Sequence, residues 1–142
     1  MIKPDKILLE TEMKAIGGRE GKVTNPDGTF QLNLTIPTEL GGPGGSGTNP
    51  EQLFAAGYAA CFLGAVKLVA RTNKVTARGE ITVAAKVGMG PVAVGYALTV
   101  ELAVEMPGVP RDIAEQVVAG AHERCPYSKA TRGNVDVQLR VV

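Results

Sequence analysis

Cys61 and Cys125 are the two cysteines in 142 residues, and neither belongs to a Cys-x-x-Cys unit. A pair this sparse is no disulfide scaffold, and in a reducing compartment it points to reactive thiols before structural ones. Cys61, flanked by Ala59, Ala60 and Phe62, would by itself pass for an inert buried thiol. Cys125 stands in a different kind of place, immediately before Pro126, where a short helix is predicted to begin. A thiolate there would meet free backbone N–H groups and the positive end of a helix dipole. His122 is the one imidazole near it, too few soft ligands for a closed zinc site in one chain, so no metal is expected. A polar helix face accounts for His122 without a catalytic role. An attacking thiolate also needs a cation to lower its pKa. Arg19, held between glycines in Gly17-Gly18-Arg19-Glu20-Gly21, can present a guanidinium from a turn, with Arg71, Arg78, Arg124 and Arg132 as competitors.

The elements that must position these residues follow from periodicity. Ile7 to Ile16 interleaves polar and apolar positions until Gly17-Gly18 breaks the run, which reads as strand then turn. Asn25-Pro26-Asp27-Gly28 is a strong turn signal, and Phe30, Leu32, Leu34 and Ile36 alternate after it, giving an antiparallel meander. From Pro37 to Pro50 the chain is glycine-rich and reads equally as a mobile linker or as a functional loop covering a site. Asn49 as cap, Pro50 at the first helical position and Glu51 in the first turn predict a helix running to about Arg71. Leu53, Phe54, Ala56, Gly57, Ala60, Cys61, Gly64, Ala65, Leu68 and Val69 make much of its circumference apolar or small. Such a helix is central and packs against more than one neighbour.

Glu80 to Val87 and Val92 to Val104 read as a hairpin turning around Gly88-Met89-Gly90-Pro91. A second helix follows from Pro110 to about Arg124, one more helical turn over Pro126 to Thr131, and a final strand from Val135 to Val141. With no repeated strand-helix-strand units, the fold class is α+β, antiparallel sheets packed around a long central helix. The length suits one domain over residues 1–142.

Fifteen basic residues against fourteen acidic ones, with no basic block, offer nothing to nucleic acid. The amino terminus has no secretory pattern, and no stretch is expected to span a membrane, so the chain reads as cytoplasmic.

Asn49-Pro50-Glu51-Gln52-Leu53-Phe54-Ala55-Ala56-Gly57-Tyr58-Ala59-Ala60-Cys61-Phe62, with Cys125-Pro126-Tyr127-Ser128 downstream and the Gly17–Gly21 arginine loop, resembles the organic hydroperoxide resistance family of the osmotically inducible protein C superfamily. The resemblance covers nearly the whole chain. It implies a peroxidase in which Cys61 attacks a hydroperoxide, Cys125 resolves it as a disulfide, and Arg19 with Glu51 orient and activate Cys61. It further implies an intertwined homodimer, preference for organic or lipid hydroperoxides, no cofactor, and recycling by dihydrolipoamide or a lipoylated protein.

Helix geometry adds a constraint of its own. Glu51 and Cys61 are ten positions apart, about 15 Å along a straight helix and off its common face. If both serve one site, the helix bends or Glu51 comes from a partner subunit, and Gly57, Ala60, Gly64 and Ala65 would let two such helices pack closely. Phe54, Phe62, Leu53 and Tyr127 are the expected walls of an oily pocket at Cys61. Competing readings are an osmotically inducible protein C type peroxidase of different substrate range, a redox-sensing or lipid-binding module without turnover, and a structural domain with incidental thiols.

Overall fold

The computed structural model describes residues 1–142, whose backbone divides into two units, Met1–Pro50 and Glu51–Val142. In the first, alternating residues build an antiparallel meander, with strands shorter than the pattern suggests: β1 (Lys14–Ile16), β2 (Lys22–Thr24) and β3 (Gln31–Asn33), adjacent in that order. Ala15 lies opposite Val23, and Val23 opposite Leu32. A 3-10 turn, Gly18–Glu20, joins β1 to β2. Gly17 enters it at a φ of 77°, and a side chain at Gly21 would collide with the Ile16 carbonyl, so both glycines are required. The Asn25 turn forms as anticipated, its Oδ1 accepting the Phe30 N–H at 2.9 Å.

Residues 7–13, expected in the first strand, are unpaired instead. Leu8 and Leu9 are 89% and 82% exposed. Alternation alone makes no strand where the chain supplies no partner, and the β1–β2 ladder ends at Lys14 opposite Thr24.

The glycine-rich segment is folded rather than a free linker. Thr35 N–H donates to the Thr48 carbonyl and Thr48 N–H to that of Asn33, both at 2.9 Å. Gly42 packs against Ile36 and Gly47 against Thr35 with no space for a β-carbon. Gly42 and Gly47 are there for close approach, and Gly41, Gly44 and Gly45 for a positive φ, reasons that sequence pattern could not separate from flexibility.

In the second unit, α1 (Pro50–Thr72) starts and ends within a residue of expectation. β4 (Thr82–Pro91) and β5 (Tyr96–Glu105) form a hairpin, and α2 (Arg111–Arg124), α3 (Pro126–Thr131) and β6 (Asp136–Val141) follow. Two details differ from the sequence reading. The hairpin turns at Val92–Gly95, where Val92 N–H meets the Gly95 carbonyl at 3.0 Å, and Gly88 to Pro91 stay in β4. Gly88 is a strand glycine because Thr99 Oγ1 lies where its β-carbon would be. The sheet is also mixed: its order is β4-β5-β6, with β6 parallel to β5 through the α2–α3 crossover. That makes one strand-helix-strand unit where an all-antiparallel arrangement was expected.

Val100, Leu102 and Val104 of β5 are sealed against Tyr58, Phe62, Val66 and Val69 of α1 and Val117, Val118 and Ala121 of α2. Each fully buried Phe or Leu here contributes about 2 kcal/mol. Only one side of α1 is sealed; Ala56, Ala60, Gly64 and Leu68, spaced four apart, face outward. Contrary to the sequence reading, α1 is long and apolar enough to cross a membrane. Its buried face is the core of this unit.

α1 ends in a Schellman arrangement: Val75 N–H bonds the Ala70 carbonyl at 2.8 Å and Lys74 N–H that of Arg71 at 3.1 Å. Lys74 sits at the left-handed position with φ 56°. Lys74→Gly is expected to raise unfolding free energy by about 1 kcal/mol, read from the denaturant midpoint at unchanged slope.

Candidate active site

Cys125 sits at a break the sequence dictates. Its own N–H closes α2 on the Ala121 carbonyl at 2.9 Å, its carbonyl opens α3 by accepting from Lys129 N–H at 3.0 Å, and Pro126 takes the first position of α3. Proline there loses no hydrogen bond, and its restriction of the preceding residue suits the extended conformation Cys125 adopts. The residue is fully buried.

Cys61 projects from the middle of α1, half-buried, with Cys125 Sγ 3.5 Å from its own sulfur. Both thiols are reduced. A disulfide requires closure to about 2 Å, a move within reach of side-chain torsions. Burial pushes the Cys61 thiol up; the Tyr127 backbone N–H, at the start of α3, pulls it down, and Cys125 adds to the rise. The site therefore brings two thiols together while burial disfavours the thiolate of Cys61.

Of the residues singled out by sequence, Cys61 and Cys125 are brought together. α1 is unbroken from Pro50 to Thr72, which keeps Glu51, in its first turn, about 15 Å up the axis from Cys61. Arg19 belongs to the amino-terminal unit, half-buried at the centre of the Gly18–Glu20 turn. Phe62 is sealed in the core, so it cannot line a pocket. Phe54 and Tyr127 line a mainly apolar cavity of about 370 Å³ with Leu98, Ala130 and Val135, and neither Cys61 nor Leu53 is among its walls.

Sequence reasoning missed the surroundings of α3. Tyr127 packs against Tyr58 and Phe54, with ring centroids 5.6 and 6.3 Å away. Its hydroxyl lies 2.7 Å from where a β-carbon on Gly57 would stand, too close for both to keep their places. Gly57 is thus a seat for the Tyr127 ring one turn before Cys61. His122, read as a solvated face, has its Nδ1 2.9 Å from the buried Ser128 Oγ. Helical spacing of His122 toward Cys125 carried no hint of a bond made six residues along the chain.

Two cysteines held across a helix break on an α+β scaffold define the class of domain. A family profile described as OsmC-like protein matches residues 42–140. An organic hydroperoxide resistance protein of Xanthomonas axonopodis pv. citri is 48% identical over 139 residues, 98% of each chain. Crystal structures of organic hydroperoxide resistance proteins from Legionella pneumophila and Elizabethkingia anophelis superpose with TM-scores of 0.89 and 0.90 at 48% and 44% identity. They cover 96% of this chain in both cases and 98% and 97% of theirs. The chain belongs to the organic hydroperoxide resistance branch of the OsmC-like family.

Gly57→Ala is expected to keep or raise the melting temperature, since alanine gains about 0.5–1 kcal/mol of helix propensity, while displacing the Tyr127 ring. Altered tyrosine fluorescence and altered reactivity of Cys61 at unchanged far-ultraviolet circular dichroism are the checks. Burial first, then Arg132, holds the His122 pKa below its usual value. The folded state therefore binds fewer protons than the unfolded one as pH falls below about 6.5. Stability should drop in that window, and His122→Asn should flatten the drop in melting temperature between neutral and mildly acidic pH.

Proposed function

We propose that residues 1–142 act as one cysteine-based peroxidase domain that reduces organic and lipid hydroperoxides to alcohols. The observation that carries the reading is the 3.5 Å separation of Cys61 and Cys125 sulfurs, in a chain 48% identical to a protein named for organic hydroperoxide resistance. The Cys61 thiolate attacks the distal peroxide oxygen and breaks the O–O bond. The alkoxide leaves and takes a proton to become the alcohol, and Cys61 becomes a sulfenic acid. Cys125 then attacks that sulfur, water departs, and a Cys61–Cys125 disulfide remains. A dithiol, for which we propose dihydrolipoamide or a lipoylated protein, reduces it and is itself oxidised to a disulfide.

Arg19 is the proposed cation that offsets the desolvation of Cys61 and meets the charge on the departing alkoxide, and Glu51 is proposed to orient the guanidinium through a bidentate pair. The reading is supported by the rise in the Cys61 pKa on burial, which a neighbouring positive charge would offset. The apolar cavity lined by Phe54 and by Tyr127, whose backbone N–H reaches Cys61, supports preference for bulky alkyl peroxides, which gain about 25 cal/mol per Å2 on burial where hydrogen peroxide gains none.

The protein is proposed to work as an intertwined homodimer in the cytoplasm, a compartment that keeps such thiols reduced. Three features support the dimer: the axial distance from Glu51 to Cys61, the exposed Ile7, Leu8 and Leu9, and the outward small residues of α1.

The test is consumption of cumene hydroperoxide, tert-butyl hydroperoxide and hydrogen peroxide with dihydrolipoamide. Cys61→Ser should abolish turnover, and Cys125→Ser should stop it after Cys61 is oxidised. Arg19→Ala should slow organic peroxide reduction about a hundredfold and move the alkylation pH profile of Cys61 upward. No turnover with any dithiol would leave a redox-sensing module in place of an enzyme.

A further inference from the structure

The carboxy-terminal unit holds a line of polar side chains that the proposed chemistry does not use. His122 Nδ1 is 2.9 Å from Ser128 Oγ, Ser128 Oγ 3.0 Å from Tyr58 Oη, and Tyr58 Oη 3.1 Å from Thr131 Oγ1. Thr131 Oγ1 in turn reaches the carbonyls of Tyr127 and Ser128 at 3.0 and 3.3 Å. Tyr58 and Ser128 are 0% exposed and Thr131 4%, so no water competes for these groups.

Proton counting gives the line a direction. Carbonyls only accept, which commits the one Thr131 hydroxyl proton to them and makes Thr131 an acceptor from Tyr58. The one Tyr58 proton is then committed to Thr131, so Tyr58 accepts from Ser128, and Ser128 must accept from His122. His122 therefore carries a proton on Nδ1. That nitrogen donates in the neutral tautomer and in the imidazolium alike, so the order does not depend on the charge of the ring.

The line joins three helices around one point. His122 lies in the last turn of α2, Ser128 and Thr131 in α3, and Tyr58 in α1 three residues before Cys61. Cys125 falls midway between His122 and Ser128, three residues from each. Both flanks of the resolving cysteine are thus tied to each other and to the helix that carries its partner. We propose that His122, Ser128, Tyr58 and Thr131 are positioning residues for the resolving step. Their one-way hydrogen-bond chain keeps the Cys125–Tyr127 turn in register with α1, with Cys125 Sγ beside Cys61. In a buried chain of this kind each bond orients the next, so a cut at either end loosens the whole.

The step it serves rests on the peroxidase reading, but the chain can be tested without a peroxide. Tyr58→Phe keeps the ring and cuts the chain in the middle; His122→Ala removes its first donor; His122→Asn keeps an N–H donor near the Nδ1 position. One equivalent of cumene hydroperoxide is followed by trapping of the Cys61 sulfenic acid and by disulfide closure. Tyr58→Phe and His122→Ala should leave Cys61 oxidation within about twofold and slow closure about tenfold, with sulfinic acid accumulating in the mass spectrum, while His122→Asn behaves as wild type. Imidazole nitrogen chemical shifts should report the Nδ1–H tautomer at neutral pH. Unchanged closure in both cut variants, equal losses in both steps, or an Nε2–H tautomer would overturn the proposal. If wild type is not oxidised by cumene hydroperoxide, the peroxidase reading fails separately. The chain is then judged on the Cys61–Cys125 equilibrium in a dithiol redox buffer, where the cut variants should disfavour the disulfide about tenfold and His122→Asn should not.

Discussion

Everything in the carboxy-terminal unit turns on holding two sulfurs 3.5 Å apart when their residues lie sixty-four positions apart in the chain. One comes from the middle of a long helix and the other from a helix break. A sulfur on a regular helix has fixed direction and little freedom, and a sulfur on an extended residue between two helices can be aimed. Combining the two gives one rigidly held thiol and a partner able to move the short distance that disulfide formation demands. The break itself is held by backbone bonds on both sides of Cys125, to Ala121 and from Lys129, so its mobility is that of a side chain and not of a loop.

Burial is the condition for this arrangement and also its cost. Sealing Cys125 and half-sealing Cys61 limits water at the two sulfurs, and the same desolvation raises the Cys61 pKa. The Tyr127 N–H counters part of that rise.

The aromatic and polar packing behind the thiols serves the same end by different means. Phe62 and Leu102 contribute non-directional burial to the core, whereas Tyr58 contributes a ring to that core and a hydroxyl to a directed chain of hydrogen bonds. A purely apolar core of the same volume would fill the space without dictating the rotation of α3. Gly57 completes the arrangement by leaving room for the Tyr127 ring against α1.

Sequence by itself determined the α+β class, the limits of α1, α2 and α3, the break at Cys125-Pro126 and the pairing of these cysteines with a family motif. Those features rest on local rules: helical periodicity, proline at a first helical turn, glycine at a positive φ. Strand length, sheet direction and the role of glycines were decided by tertiary structure, because each depends on a partner that the local pattern does not name. Ile7 to Met13 alternates like a strand and pairs with nothing in the chain; Gly88 to Pro91 resembles a turn and lies in a strand; β6 runs parallel to β5 because a helical crossover delivers it there. The distance between the sulfurs, the rise in the Cys61 pKa and the line from His122 to Thr131 arise from side chains on three helices meeting in one dry volume. Periodicity along one helix states which face is apolar, and only the packed fold states what that face meets.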